Sequence, residues 1–187
     1  LDSGGLFIAK LRKAGEAGDR DDAGWAAVPR VFAGDPTVDL DGGLAAVGDR
    51  FGLEVPPDYR WLERGGRGWM HTVSEWPAWA TTVGDESPWR TISLGIRSVD
   101  FDSRDRPRPT NDLLRLMAPV HGPRTTSLDD DAVACFLARD TLDTEIDERG
   151  PIAVAWRGDV IGRGAVTGEG LKSEVPKARA ADLKRAL

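Results

Sequence analysis

Three short arms near the C-terminus constrain this chain more than any other feature. Ile152-Ala153-Val154-Ala155-Trp156 is an uninterrupted apolar run of strand length, and Arg157-Gly158-Asp159 makes a tight polar turn after it. Val160 to Val166 resumes the apolar pattern, with glycine at 162 and 164. A second turn, Gly168-Glu169-Gly170, leads into Leu171 to Arg179 (LKSEVPKAR). A hairpin with a glycine-rich second strand and a basic, proline-containing tail reads as a small β-barrel over residues 128–187. Arg163, Lys172, Lys177 and Arg179 would be gathered at one end of it.

Bulk charge conceals that basic end. Acidic residues outnumber basic ones by 31 to 25, so overall charge does not mark a nucleic-acid binder. The distribution is uneven. Residues 1–59 carry 11 acids and 6 bases, and residues 128–149 carry 8 acids and 2 bases. Residues 150–187 reverse the balance, with 7 bases and 4 acids. For any single one of these charges, solvated surface is the bland alternative.

Upstream, Ala14 to Ala23 is small, polar and charged, and reads as an exposed connector. Asp35-Pro36 opens a helix-like run in which Leu40, Leu44, Ala45, Val47, Phe51 and Leu53 recur at helical spacing, with Gly52 as the stop. Tyr59 to Leu62 and Trp69 to Val73 flank the turn Glu63–Gly68 as a hairpin. Arg90 to Val99 alternates polar with apolar residues, as a half-buried strand does. Thr110 to Met117 reads as a short helix capped by Thr110 or Asn111. Asp129-Asp130-Asp131 opens another helix that runs to about Arg139, with acids at the positive end of its dipole.

Trp61, Trp69, Trp76, Trp79 and Trp89 crowd into one stretch. They read first as aromatic corners of a small core. The functional alternative is a stacking platform for single-stranded RNA, with Arg60, Arg64, Arg67 and Arg90 on phosphates. Trp76 and Trp79, beside Pro77, are the candidates for exposure.

Catalytic readings fare poorly. The single cysteine, Cys135, excludes an internal disulfide and a cysteine-based zinc cluster, and is expected as a buried core thiol. His71 and His121 are far apart, with no metal-ligand spacing. Asp100 and Asp102 lie among Arg97, Arg104, Arg106 and Arg108, which favours ion pairing over an acid–base dyad. No run approaches the length of a membrane span, so a soluble, cytoplasmic protein without a membrane partner is expected.

Three stretches, in order, resemble the C-terminal region of RsmF-type ribosomal RNA cytosine-5 methyltransferases of the Nop/Sun family. GDVIGRGAV followed by LKSEVPKARAADL resembles the close of that family's PUA-like RNA-binding domain. LDSGGLFIAKLRK, at Leu1–Lys13, resembles the last strand of its catalytic domain. Ile92 to Met117 resembles a stretch between the two. The family pattern has an aromatic residue before the proline, where this chain has Val175, and a lysine after the glycines, where it has Ala165 and Val166. The resemblance implies the C-terminal part of a longer protein, which the absent initiator Met also fits.

It also implies an absence of catalysis in this chain alone. The family's PCSG and TCS motifs, which supply the thiolate that adds to the cytosine ring, do not occur. Neither does a glycine-rich S-adenosylmethionine (AdoMet) loop. AdoMet would be held by an upstream domain of the parent enzyme.

The resulting expectation is an α+β fold, a small mixed α/β middle module followed by a PUA-like β-barrel. Residues 1–35 would be the last methyltransferase strand plus a linker, 36–127 a Trp-rich module and 128–187 the RNA-binding domain. The expected partners are ribosomal RNA or the small ribosomal subunit, and the upstream methyltransferase domain. The expected RNA contacts are Arg163, Lys172, Lys177 and Arg179, with no catalytic, cofactor or metal residue. The alternative is a structural or protein-interaction module that packs on the catalytic domain without contacting RNA.

Overall fold

The helical spacing from Leu40 onward becomes α1 (Leu40–Phe51). Asp39 caps it, its carboxylate accepting from the Gly42 amide, and Gly52 ends it at φ +67°, a left-handed position that glycine adopts without a Cβ penalty. Leu40, Val47 and Phe51 turn inward. The computed structural model describes residues 25–27, 38–54, 57–72, 75–77, 95–117 and 122–187. The readings made for the leading strand, the connector at 14–23, Asp35-Pro36, Trp79, Trp89, Arg90 and His121 lie outside these residues, as does the side chain of Trp76.

The expected hairpin forms from β2 (Arg60–Glu63) and β3 (Arg67–His71), bracketed in the chain by β1 (Trp25–Ala27) and β4 (Glu75–Pro77), which pair with each other. Antiparallel β5 (Ile96–Phe101) and β6 (Pro107–Pro109) complete a four-stranded sheet of order β2-β3-β5-β6. Two prolines in β6 suit an edge, where a missing N–H breaks no ladder. Thr110 then caps α2 (Asn111–Leu116), its hydroxyl accepting from the Leu113 amide.

The second sheet has the order β10-β9-β8-β7, from β7 (Thr125–Leu128), β8 (Gly150–Trp156), β9 (Asp159–Thr167) and β10 (Gly170–Ser173). β7 and β8 run parallel, which demands a crossover, and α3 (Asp130–Ala138) supplies it. Asp129 caps α3 through the Ala132 amide, as an acidic helix start should. The β8–β9 turn is tighter than its three polar residues imply. Only Arg157 and Gly158 lie outside the ladder, both at positive φ, and Asp159 already pairs with Trp156. The described strands form an open sheet with β10 and β7 at its edges. The fold is α+β.

β8 is buried along both faces, which explains its unbroken apolar run. Ala153 and Val160 join Leu113, Leu114, Met70, Val99 and Phe51 in one core. Ile152, Val154 and Ile161 join Val133, Phe136, Leu137 and Leu183 in the other. Helix α2 therefore packs against the second sheet as well as the first. The two modules share a core rather than meeting at a linker, and β7 straddles the expected boundary between residues 127 and 128.

Cys135 departs from expectation, because it is exposed. Val133, Phe136 and Leu137 occupy the buried stripe of α3 at i, i+3 and i+4, and residue 135 projects from the opposite side. No helix among the described residues is long and apolar enough to cross a membrane.

Candidate nucleic-acid interface

The expected basic tail is not extended beyond Pro176. It forms α4 (Lys177–Lys184), held by buried Ala180 and Leu183 against the core of α3. No acid occupies its first turn and no side chain caps it, so Lys177 and Arg179 stand at the positive end of the helix dipole. A shallow recess of about 190 Å³ between α3 and α4 is rimmed by Arg139, Lys177 and Lys184, with Leu137 and Ala180 among its apolar lining.

The four expected contact residues divide into two pairs. Arg163 is largely buried, with its side chain 16 % exposed. Its Nε lies 2.5 Å from Glu174 Oε2, without hydrogen-bond alignment, so the contact is an ion pair. Its Nη1 donates to the Pro109 carbonyl at 2.6 Å. Arg108 Nη2 donates to the other Glu174 oxygen at 3.2 Å. Arg163 is thus turned inward rather than offered at the surface, and it ties β9 to β6. Lys172 pairs with Glu169, and its ammonium holds that carboxyl below its ordinary pKa.

Lys177 is exposed and Arg179 half-buried. Among the described residues neither has a carboxylate at ion-pair distance, and Arg179 Nε has no acceptor. Arg115, at the end of α2, belongs with them. Burial first, then the nearby charge of Arg179, lowers its pKa, against the opposing pull of Asp112. Two guanidinium groups thus lie within each other's field at the junction of α2 and α4. The i, i+7 spacing of Lys177 and Lys184 is a helical signal in the tail. Arg115 left no signal, since only folding brings it to α4.

The other candidates resolve into structure. Arg97 grips Asp100 through two hydrogen bonds of 2.6 and 2.7 Å, and Arg106 Nε donates to Asp102 at 2.8 Å. Asp102 also accepts the amides of Arg104 and Arg106. The Arg106 side-chain bond, followed by the Arg104 amide, lowers its pKa to about 2. The pair is ion-paired turn chemistry, as its sequence context indicated. Asp130 accepts from Trp156 Nε1 at 2.7 Å and from Arg157, whose guanidinium lies 4.5 Å from the centroid of the Trp156 ring. Trp61 is half-buried against the first core, the core role rather than the platform. No group of three metal-ligating side chains occurs among the described residues. Neither a family model nor a curated protein matches the chain.

Proposed function

We propose that this chain is an RNA-binding module. It would recognise ribosomal RNA, or the small subunit, for a cytosine-5 methyltransferase whose AdoMet and catalytic thiolates belong to an upstream domain. In this reading the unit containing the second sheet is PUA-like and the protein acts in the cytoplasm. The observation that carries the proposal is Arg179, without a carboxylate at ion-pair distance among the described residues and in the field of Arg115, with exposed Lys177 on the same first turn of α4. Arg115 has only Asp112, at 3.8 Å, to offset the like charge of Arg179, and an anion placed beside the two guanidinium groups would relieve their repulsion. A phosphodiester is such an anion, and guanidinium groups can grip it in bidentate fashion. The basic end read from the sequence thus persists, narrowed to α4 and enlarged by α2.

The competing reading is a protein-interaction module without RNA. It is favoured by Arg163 and Lys172, which spend their charge on Glu174 and Glu169. Binding of a ribosomal RNA fragment over a salt series separates the two. Replacing Lys177 and Arg179 by Ala should weaken binding by about 1–2 kcal/mol, taking about 0.5–1 kcal/mol per exposed contact. It should also lower the salt slope by about 1.5. Arg104→Ala is the control and should change neither. Undiminished binding with an unchanged slope in the double variant would refute the placement, and no salt-dependent binding by the parent would refute the function.

A further inference from the structure

A second cationic feature lies at the junction of the two sheets. The C-terminal end of α1, the β5–β6 turn and the segment leading into β8 enclose a cavity of about 310 Å³. Arg50, Arg106, Arg108 and Arg149 line it, against only two acids, Asp102 and Glu148. Asp102 is occupied by Arg106, and Glu148 by Arg50 at 2.5 Å. Arg149 has no carboxylate at ion-pair distance among the described residues. Its guanidinium lies beside Gly168 of the β9–β10 turn.

Behind the wall lies a fifth arginine. Arg124 is 2 % exposed, and its nearest acid, Glu148, is 66 % exposed and 3.8 Å away. Arg124 Nε donates to the Pro151 carbonyl and Nη1 to the Glu148 carbonyl, so the guanidinium backs the same segment that lines the cavity. Its Nη2, next to Gly150, has no acceptor among the described residues, and neither has Arg108 Nε. Burial lowers the Arg124 pKa; Glu148 opposes that shift and Arg50 adds to it. A buried guanidinium with one weak counter-charge leaves an electrostatic deficit at this wall.

We infer that this cavity is a phosphate-binding site, taking the terminal phosphate of a nucleotide, a polynucleotide end or a phosphorylated small molecule. The lining residues carry a positive excess of two, with Arg124 behind them, and the one outside acid among the described residues that reaches a lining arginine, Glu174 on Arg108, is shared with Arg163. A tetrahedral dianion matches that excess and offers enough oxygens for several guanidinium forks, whereas a carboxylate offers two. Arg149 is the free anchor. Arg50 is the second, because its partner Glu148 is exposed and can swing aside.

The test uses the intact chain with inorganic phosphate as probe, followed by calorimetry and by melting temperature in chloride buffers of matched ionic strength. Phosphate should bind, and acetate should not. Arg149→Gln should weaken phosphate about tenfold, and Arg50→Gln should weaken it further, since each removes a charge-assisted contact. Arg149→Gln should melt within about 2 °C of the parent without phosphate, because it removes no intramolecular ion pair. A short RNA with a 5′-phosphate, compared with the same RNA bearing a 5′-hydroxyl, identifies the source. Preference for the phosphorylated end assigns a polynucleotide terminus, and equal binding with phosphate affinity retained assigns a small phosphorylated ligand. No binding of phosphate by the parent, or binding unchanged in both variants, would overturn the inference. Neither result depends on Lys177 or Arg179, so the RNA proposal stands or falls separately.

Discussion

Asn111 is the side chain on which the two sheets hinge, and replacing it by Ala tests the shared core directly. Its Oδ1 accepts from the Arg163 amide at 2.7 Å, and its Nδ2 donates to the Glu174 carbonyl at 3.1 Å. One amide from α2 therefore satisfies backbone groups of β9 and of the segment after β10. Truncation removes both bonds and leaves two part-buried backbone groups without partners. At about 1 kcal/mol per bond, with a partial desolvation penalty for each orphan, the loss is about 2–4 kcal/mol. For a chain of this size that corresponds to a melting temperature lower by about 5–12 °C. Urea unfolding gives the free energy, and hydrogen exchange at the Arg163 amide reports the local site. Asn111→Asp keeps the acceptor and loses the donor, so it should fall between parent and Ala. Arg104→Ala, on the exposed β5–β6 turn, is the control. If Asn111→Ala stays within about 0.5 kcal/mol of the parent, the α2–β9 contact is not a structural junction and the shared-core reasoning fails.

Two further outcomes follow from the same structure. A Cβ at Gly162 would lie 2.6 Å from Asn111 Oδ1 and 2.7 Å from Val175 Cγ2. Gly162→Ala should therefore cost about 1–3 kcal/mol by overpacking, measured by urea unfolding, and should cost clearly less in the Asn111→Ala background. Asp102 has its folded pKa lowered to about 2, so its contribution to stability is present above its ordinary value of 3.8 and is lost as pH falls through about 2. A carbon-detected NMR titration should find that low value, and Arg106→Ala should raise it; a parent value near 3.8 would contradict the turn geometry.

Elements were legible wherever local physics decides them. Leu40 to Phe51 carried a helical period with Gly52 after it, and these became helix and stop, while Asp39 as the cap was not singled out in the sequence. Thr110 and Asp129 marked helix starts by the same local chemistry. Candidate site residues were less legible, because exposure is a property of neighbours. Arg163 and Lys177 look alike in the sequence. One is clamped by Glu174 and Pro109, the other faces outward.

Local sequence was enough for the α+β class, the starts of α2 and α3, the two hairpins and the basic composition of the C-terminal end, since each rests on composition or on preferences within a few residues. Folding alone reveals that α2 lies between two sheets, that Cys135 points out, and that Arg115 lies in the field of Arg179. It alone brought Arg50, Arg108, Arg124 and Arg149 around one cavity. The reason is range: periodicity and capping act along a few turns of chain. These groupings need residues from separate segments brought together, and burying a shared apolar face is what brings them there.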